Sequence, residues 1–332
     1  PVTAVASAVV GLVGTAPKGA VNTLTVVSNQ NEAITKFGGE VPGFTIPQAL
    51  SAIFAQGNTT VIVINVFDPA TMVSAVTAEV VTITGGKART AFCPVGTSFV
   101  LTNSAGSTTF VKGTDYTVDE FGDIVVLNFT SIAEGSSVKA TYNKLNAAAV
   151  TSSVVVGTVN GTTDVKTGHK LYAECEAQFG YNPKLLLCPT YCEIAGVASE
   201  MITWAGTLRG VCYIDAPEGE TVAEVIAARG PSGTLAGFQS TSKRVVLCYP
   251  RVKVFDLYSN SNQLRPFSQF AAGVTAATDN TEETMYASSP SNHAIAGIEG
   301  LERMMTSALN DSTSQLNQLN AVGITTVFNS FG

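Results

Sequence analysis

Charge is scarce in this sequence. Lys, Arg, Asp and Glu together make up 13% of the 332 residues, about half the usual share of a globular domain. Apolar residues make up 45%, enough for sizeable cores in a chain long enough for two or three domains. A surface this poor in charge is typical of a subunit that buries much of its area against neighbours. A monomer with an uncharged polar surface is the alternative.

Basic clusters and long apolar runs are also missing. Nucleic-acid binding needs clustered Lys and Arg, but the formal net charge is −7. The densest basic stretch runs from Lys243 to Lys253, and we interpret it as the flanks of a strand. The longest apolar runs are short, such as residues 61–66, whereas a helix that spans a bilayer needs roughly 20. We therefore predict no nucleic-acid partner and no membrane insertion.

Histidine is almost absent, and common enzyme motifs are not found. Neither His169 nor His293 lies near a G-x-S-x-G elbow, which disfavours a Ser-His-Asp triad. The Gly-rich segment of residues 11–19 has neither a GKS or GKT ending nor G-x-G-x-x-G spacing, so it does not match a phosphate-binding loop. Pro17 also removes one backbone amide that an anion would need.

One acidic turn is a candidate for catalysis. Asp215, Glu218 and Glu220 follow an apolar strand, which is where a catalytic carboxylate of an α/β enzyme lies. A hydrolase-like enzyme that uses the Asp215 region is therefore an alternative function. A proline and a glycine make the same segment a turn, and Glu218 or Thr221 can cap the next helix. We interpret the segment as structural and predict no enzyme activity.

The six cysteines lie inside apolar stretches such as LLLCPTYC and VVLCYP. This placement predicts reduced, buried thiols of a protein made in a cytoplasm. A zinc site is the alternative, but Cys188 and Cys192 are close in sequence without a second pair to complete the ligand set. We predict no metal and no cofactor.

Hydrophobic periodicity indicates a layered α/β body. The stretch TTVIVINVF is apolar throughout, as a parallel strand covered on both faces requires, and it follows the predicted helix IPQALSAIFAQG. From residue 154 onward, helix and strand alternate through four β-α-β steps, which favours parallel pairing. The predicted helices there are KLYAECEAQFG, VASEMITWAGTLRG and TVAEVIAARG, and the predicted strands are KLLLCP, VCYIDAP and RVVLCYPRVKVFD.

Residues 73–150 differ from the rest, because short alternating segments are separated by Gly, Asn, Asp and Ser turns. They predict an inserted all-β domain of about six strands, barrel-like or sandwich-like. The fold class is therefore α+β or α/β, a layered α/β body with an inserted β domain. The body is predicted to comprise residues 1–72 and 151–285, and residues 286–332 to begin a C-terminal domain. A surface adhesin or capsid-like binding module is a further alternative.

The C-terminal stretch SPSNHAIAGIEGLERMMTSALN predicts a helix. Ile298, Leu301, Met305 and Leu309 have helical spacing after Ser and Pro cap signals, and His293 lies at the start of this helix as a cap or interface residue. A second helix, SQLNQLNAVG, and the strand-like ITTVFNSFG follow.

Eight stretches in order resemble the family of phage contractile tail sheath proteins. They are VVGLVGTAP, EAITKFGG, IPQALSAIFAQGNTTVIVINV, YTVDEFGDI, GYNPKLLLCP, RGVCYIDAPEG, AAGVTAATD and SPSNHAIAGIEGLER. The resemblance implies a structural subunit that polymerises helically around an inner tube and contracts to drive it through a target cell envelope during genome ejection. It implies copies of itself, the inner tail tube protein, and baseplate and tail terminator proteins as partners. The implied location is the virion tail, after synthesis in the host cytoplasm.

The sheath of a phage-derived bacteriocin or of an extracellular contractile injection system is an alternative. Family members carry an N-terminal arm and a C-terminal domain, and each arm adds strands to neighbouring subunits. The resemblance thus implies a core fragment without the first arm and without most of the C-terminal domain, and an insertion that faces outward. Candidate subunit-interface residues are Val2, His293, Ile324, Val327 and Phe328.

Overall fold

The computed structural model describes residues 8–281, 288–308 and 310–328. The chain divides into two compact units. The body comprises residues 1–37, 45–66 and 151–332, and the β unit comprises residues 38–44 and 67–150. Helices and several sheets occur together, so the mixed α and β class predicted from the sequence is confirmed.

The body is built on a seven-stranded sheet. Its strands are β1 (Val10–Gly14), β2 (Leu24–Val27), β3 (Val61–Asn65), β11 (Leu185–Leu187), β12 (Val211–Asp215), β13 (Val245–Cys248) and β17 (Ile324–Thr325). The order across the sheet is β17-β13-β12-β11-β1-β3-β2. Neighbours pair in parallel except β2, which runs antiparallel to β3 at one edge. Every residue of β1, β3 and β11 is buried, as the unbroken apolar pattern of β3 predicted.

The helices of the body cover both faces of this sheet. They are α1 (Gln30–Phe37), α2 (Thr45–Gln56), α3 (Ser152–Val156), α4 (Cys175–Phe179), α5 (Ala195–Thr207), α6 (Val222–Ala228), α7 (Ser268–Thr281) and α8 (Gln315–Ala321). Successive strand residues point to opposite faces: Tyr213 donates to Thr275 of α7 at 2.9 Å, whereas Ile214 and Ala198 of α5 both lie next to Gly237. None of these helices is long and apolar enough to span a bilayer within the described residues.

The β unit contains seven strands, compared with about six in the sequence-based prediction. They are β4 (Val73–Thr82), β5 (Lys87–Arg89), β6 (Val100–Asn103), β7 (Thr109–Phe110), β8 (Tyr116–Val118), β9 (Asp123–Val126) and β10 (Ser137–Leu145). They form an antiparallel four-stranded sheet, β4-β10-β6-β7, and an antiparallel three-stranded sheet, β5-β9-β8. Their inward side chains, including Tyr116, Ile124 and Tyr142, form a separate core.

Two predictions about the second half of the body are wrong. The long strand RVVLCYPRVKVFD is two strands, β13 and β14 (Val252–Asp256), because Pro250 has no N–H to continue the ladder. Strand β14 leaves the large sheet and pairs with β15 (Ser261–Arg265) and β16 (Gly300–Leu301) in a separate three-stranded sheet. The predicted KLYAECEAQFG helix is a 3-10 segment, Gly168–Glu174, followed by α4.

The prediction of a helix over residues 289–310 is also wrong. Residues 288–308 contain no helix, and Leu301 lies in β16 opposite Val252. Gly297 adopts a φ of +79°, which an α-helix excludes, and Leu309 lies outside the described residues. The second predicted helix of this region is confirmed as α8, with Ser314 accepting from the Asn317 N–H as its N-cap.

Candidate functional site

A polar cluster lies at the carboxyl ends of β11, β12 and β13. Asp215 ends β12, lies opposite Cys248 of β13 and is 2% exposed. One oxygen of its carboxylate accepts a hydrogen bond at 2.8 Å from the backbone N–H of Ser268, the first residue of α7. The other oxygen lies 3.5 Å from the Cys192 sulfur. Burial raises the pKa of Asp215, and the hydrogen bonds from Ser268 oppose that shift.

An ion pair between Arg251 and Glu193 completes the cluster. Arg251 is 8% exposed, and its charge helps to hold down the pKa of Asp215. Burial raises the pKa of Glu193 to about 7; Arg251 opposes this shift, and the charges of Asp215 and Glu218 add to it. Negative charge therefore exceeds positive charge at this end of the sheet, and Glu193 holds a proton more tightly than an exposed glutamate.

The surface beside the cluster is acidic as well. Burial raises the pKa of Tyr249 to about 12; Arg303 opposes this shift, and Glu302, Glu220 and Glu224 add to it. The Tyr249 hydroxyl donates to the backbone carbonyl of Glu220 at 3.0 Å. A cavity of about 430 Å³ opens here and is lined by Thr221, Val222, Glu302, Arg303, Met304 and Gln315.

Asp215 and Thr221 serve the fold locally. Asp215 caps α7, and Thr221 caps α6 in a reciprocal capping box with Glu224. The prediction that Thr221 can cap this helix is therefore confirmed. Within the described ranges, no group of three or more His, Cys, Asp or Glu side chains is placed to hold a metal ion. All six cysteines are buried, and none forms a disulfide bond with another.

The predicted interface residues fall at different places. Ile324 is 2% exposed and pairs with Leu247 inside the large sheet. Val327 is half-buried against the main core of the body, and Phe328 is also half-buried. His293 is exposed, with its Nε2 3.1 Å from the Ser289 carbonyl oxygen, and the helix it was predicted to start is absent. Val2 lies outside the described residues.

The sequence pattern pointed to Asp215 but not to Glu193, Arg251 or Ser268. Ser268 had one detectable signal, because a serine directly before an apolar stretch, QFAAGV, is typical of a helix start. Glu193 and Arg251 had none. They are 58 residues apart, and only the fold brings them together.

Comparison with known proteins identifies the family. The model of the phage tail sheath protein central domain matches residues 164–332, and that of the domain III N-terminal region of the tail sheath protein Gp18 matches residues 7–66. The tail sheath protein of Burkholderia phage BcepMu is 42% identical over 336 residues, covering 100% of this chain and 69% of that protein. This chain belongs to the phage tail sheath protein family.

Other sheath proteins match over smaller shares of their length. A putative prophage major tail sheath protein of Pseudomonas aeruginosa strain UCBPP-PA14 is 32% identical over 54% of this chain and 44% of its own length. The helical sheath of the anti-feeding prophage in the contracted state has a TM-score of 0.51 at 15% identity, covering 99% of this chain and 60% of its own. That likeness shows a shared fold. The sheath chain described here thus spans part of the length of these relatives.

Proposed function

We propose that this chain is the central part of a contractile tail sheath subunit. Copies polymerise helically around an inner tail tube and contract, which drives the tube through a target cell envelope during genome ejection. The observation that carries the proposal is the 42% identity, over the whole chain, to the tail sheath protein of Burkholderia phage BcepMu. Baseplate and tail terminator proteins are the proposed partners at the two ends. The proposed location is the virion tail, after synthesis in the host cytoplasm.

Contraction in this proposal needs no nucleotide. A sheath is a heterologous array, in which one surface of a subunit meets a different surface of the next without closing a ring. An extended array that is kinetically trapped above a better-packed one stores free energy in its subunit contacts. Burial of about 400 Å² more apolar surface per subunit would release about 10 kcal/mol as an upper bound. The low charge content, 13%, supports tight packing because repulsion between copies stays small.

The inserted domain has a separate role in the proposal. Residues 73–150 face outward as a decoration, residues 1–72 and 151–285 form the assembling body, and residues 286–332 begin the C-terminal domain. The separate core of the β unit supports this division, because its strands bury their side chains against one another. A domain with its own core can be carried on a sheath without taking part in the packing of the body.

No catalytic step belongs to the proposed function. Asp215, the candidate for the hydrolase-like alternative, is 2% exposed, and its carboxylate is engaged by Ser268 and Cys192. A substrate has no route to such a group unless the cluster opens. The neighbouring turn supports the same interpretation, since Glu218 and Thr221 lie where α6 begins and Thr221 caps it.

The same subunit would serve a phage-derived bacteriocin or an extracellular injection particle. The anti-feeding prophage sheath has this fold, which makes that use the second candidate. Electron microscopy of the full-length subunit, overexpressed alone, tests the shared proposal: we expect hollow, cross-striated tubes at high concentration. Monodisperse particles with a measurable hydrolytic activity would contradict it. Particles purified from the producing cells separate the two uses, because a genome-ejecting tail is attached to a DNA-filled head.

A further inference from the structure

Cations collect at the amino ends of three neighbouring strands. Lys184 directly precedes β11, Arg209 lies just before β12, and Lys243 and Arg244 directly precede β13. The amino ends of parallel strands meet at one edge of a sheet. We name these four residues the amino-edge patch. One carboxylate borders the patch: Glu176 accepts a hydrogen bond from the residue two before Lys184. Because four cations face this one carboxylate, the local charge remains positive.

Two of these cations are engaged within the body, and two are not. Lys184 Nζ donates at 2.5 Å to the carbonyl at the C-cap of α5, and Arg244 Nη1 donates at 3.0 Å to the Gly210 carbonyl. Arg209 and Lys243 are exposed. Their side chains make no hydrogen bond or ion pair with the part of the chain that the structure describes. These two are therefore available to a partner at little cost to the fold.

Carboxylates collect at the opposite end of the same strands. Glu218 and Glu220 lie in the turn after β12, Glu224 lies in the first turn of α6, and Glu302 lies in the segment that pairs with the chain beyond β13. We name these four residues the carboxyl-edge patch. The guanidinium of Arg303 lies among them and donates to the backbone carbonyls of residues 219 and 220. The four carboxylates outnumber this one cation, so the patch remains acidic.

Glu302 also has an unused acceptor. Its Oε1 accepts a hydrogen bond from the Gly219 N–H at 2.6 Å, whereas its Oε2 is buried without a hydrogen-bond partner among the described residues. A buried carboxylate oxygen without a donor costs free energy. Glu302 lines the cavity of about 430 Å³, and Val222 and Met304 line it as well. Such a site suits a long basic side chain, whose methylenes contact apolar groups while its head donates to the carboxylate.

We propose that the amino-edge patch of one copy docks on the carboxyl-edge patch of a second copy, and that an exposed cation of the first enters the Glu302 cavity of the second. This inference rests on the proposed function, and it identifies the charges through which neighbouring copies bind. Because the patches lie at opposite ends of the same strands, the contact is heterologous and repeats into an open array. An isologous pairing would bring like charges together and is disfavoured.

Charge reversal on each edge tests the contact. R209E/K243E reverses the two free cations, and E218K/E220K reverses two carboxylates whose side chains make no hydrogen bond or ion pair with the described residues. Sedimentation velocity at low salt measures the concentration at which half of the protein is assembled. We expect each variant to raise it at least about tenfold. K87E/K112E, which changes the same number of charges on exposed residues of the β unit, serves as the matched control and should change it less than about twofold.

Mixing the two edge variants shows the polarity of the contact. Each variant retains one intact edge, and the two reversed edges also carry opposite charges, so an equimolar mixture should assemble again, while either variant alone stays monomeric. E302Q, which keeps the acceptor for Gly219, should weaken assembly without loss of folding. Assembly of either edge variant at the wild-type concentration, or a mixture without any complex, would overturn the contact and leave the sheath proposal standing. A wild-type protein that stays monomeric at every concentration would instead contradict the proposed function.

Discussion

The carboxylate of Asp215 accepts a hydrogen bond at 2.8 Å from the backbone N–H of Ser268. This bond joins the end of β12 to the start of α7, two elements that are 53 residues apart at this point. The first N–H groups of a helix have no partner inside the helix, and here the sheet supplies one. Helix α7 contributes Phe270, Ala272 and Ala276 to the core. The buried carboxylate therefore fixes a helix that covers one face of the sheet.

Replacement of Asp215 should destabilise the body strongly. Asp215→Ala leaves the Ser268 N–H without its acceptor and Arg251 with less compensating charge, so we expect a loss of about 3 kcal/mol in the free energy of unfolding. Asp215→Asn keeps an acceptor oxygen and should lose about 1 kcal/mol. Urea denaturation measures both. Glu218→Ala, at an exposed position of the following turn, is the control, with an expected change within about 0.5 kcal/mol. Equal losses for Asp215→Ala and Glu218→Ala would contradict the capping role.

Glu193 should make stability depend on pH. Burial raises its pKa from 4.5 to about 7 in the folded protein. As the pH rises through this interval, the unfolded chain has already lost the proton that the folded protein retains, so the free energy of unfolding falls. The contribution of the raised Glu193 pKa to the free energy of unfolding is fully present below pH 4.5 and is lost as the pH passes 7.

The variant Glu193→Gln removes this titration. We expect a shallower decline of the unfolding free energy between pH 4.5 and 7 than in the wild type, measured by urea denaturation in a series of buffers. Above that interval the variant also lacks the charge that pairs with Arg251. Glu299→Gln, at an exposed position of the body whose charge is not among those that shift the pKa of Glu193, serves as the control and should follow the wild-type slope. Parallel curves for Glu193→Gln and the wild type would show that the carboxyl has an ordinary pKa.

The parallel sheet was predictable because its strands carry a local signal. Strand β3 is buried at every residue, and its apolar run contains that information without reference to the rest of the chain. Helix α2 was equally visible, with Pro47 in its first turn and Gly57 after its end. Helix α7 carries little such contrast. It is rich in Ala and Thr and buries eight of its residues, so its apolar face has no sharp boundary.

Other features depend on contacts distant in sequence. Ile298, Leu301 and Met305 have helical spacing, but pairing of Leu301 with Val252 and the positive φ of Gly297 determine the observed path. The candidate site also contains residues of both kinds, those that the sequence indicates and those that only the fold brings together. Asp215 was recognisable from its position after an apolar strand, whereas Glu193 and Arg251 meet only through the fold.

A comparison of two glycines distinguishes the cost of backbone strain from the cost of steric crowding. Gly157 and Gly180 both have a φ of +77°. A Cβ at Gly157 would lie 1.8 Å from the Thr167 carbonyl oxygen, whereas a Cβ at Gly180 would meet nothing within 4 Å. Gly180→Ala should therefore cost about 1 kcal/mol from the left-handed conformation alone. Gly157→Ala should cost about 3 kcal/mol or more, because the backbone must also move. Denaturant titration measures the loss of stability in both variants. Equal losses would mean that the backbone of residues 157–168 moves easily to make room for the added methyl group.

Removal of the β unit should leave the body folded. Its strands bury their side chains in a core of their own, and the large sheet belongs entirely to the body. We expect a variant in which a flexible linker of about ten residues replaces residues 67–150 to retain helical circular dichroism and a cooperative unfolding transition. The deletion removes Phe67, whose ring lies 5.1 Å from that of Phe44, so Phe44→Ser is included to avoid a newly exposed aromatic ring.

The same deletion without Phe44→Ser is the matched control and should aggregate more, since Phe44 is 1% exposed in the intact protein. Light scattering measures this difference. If the shortened protein also forms tubes, the β unit is dispensable for assembly, as expected of an outward decoration. Loss of cooperative unfolding with the linker and Phe44→Ser in place would show that the body depends on the β unit, which would contradict the division of the chain into independently stable parts.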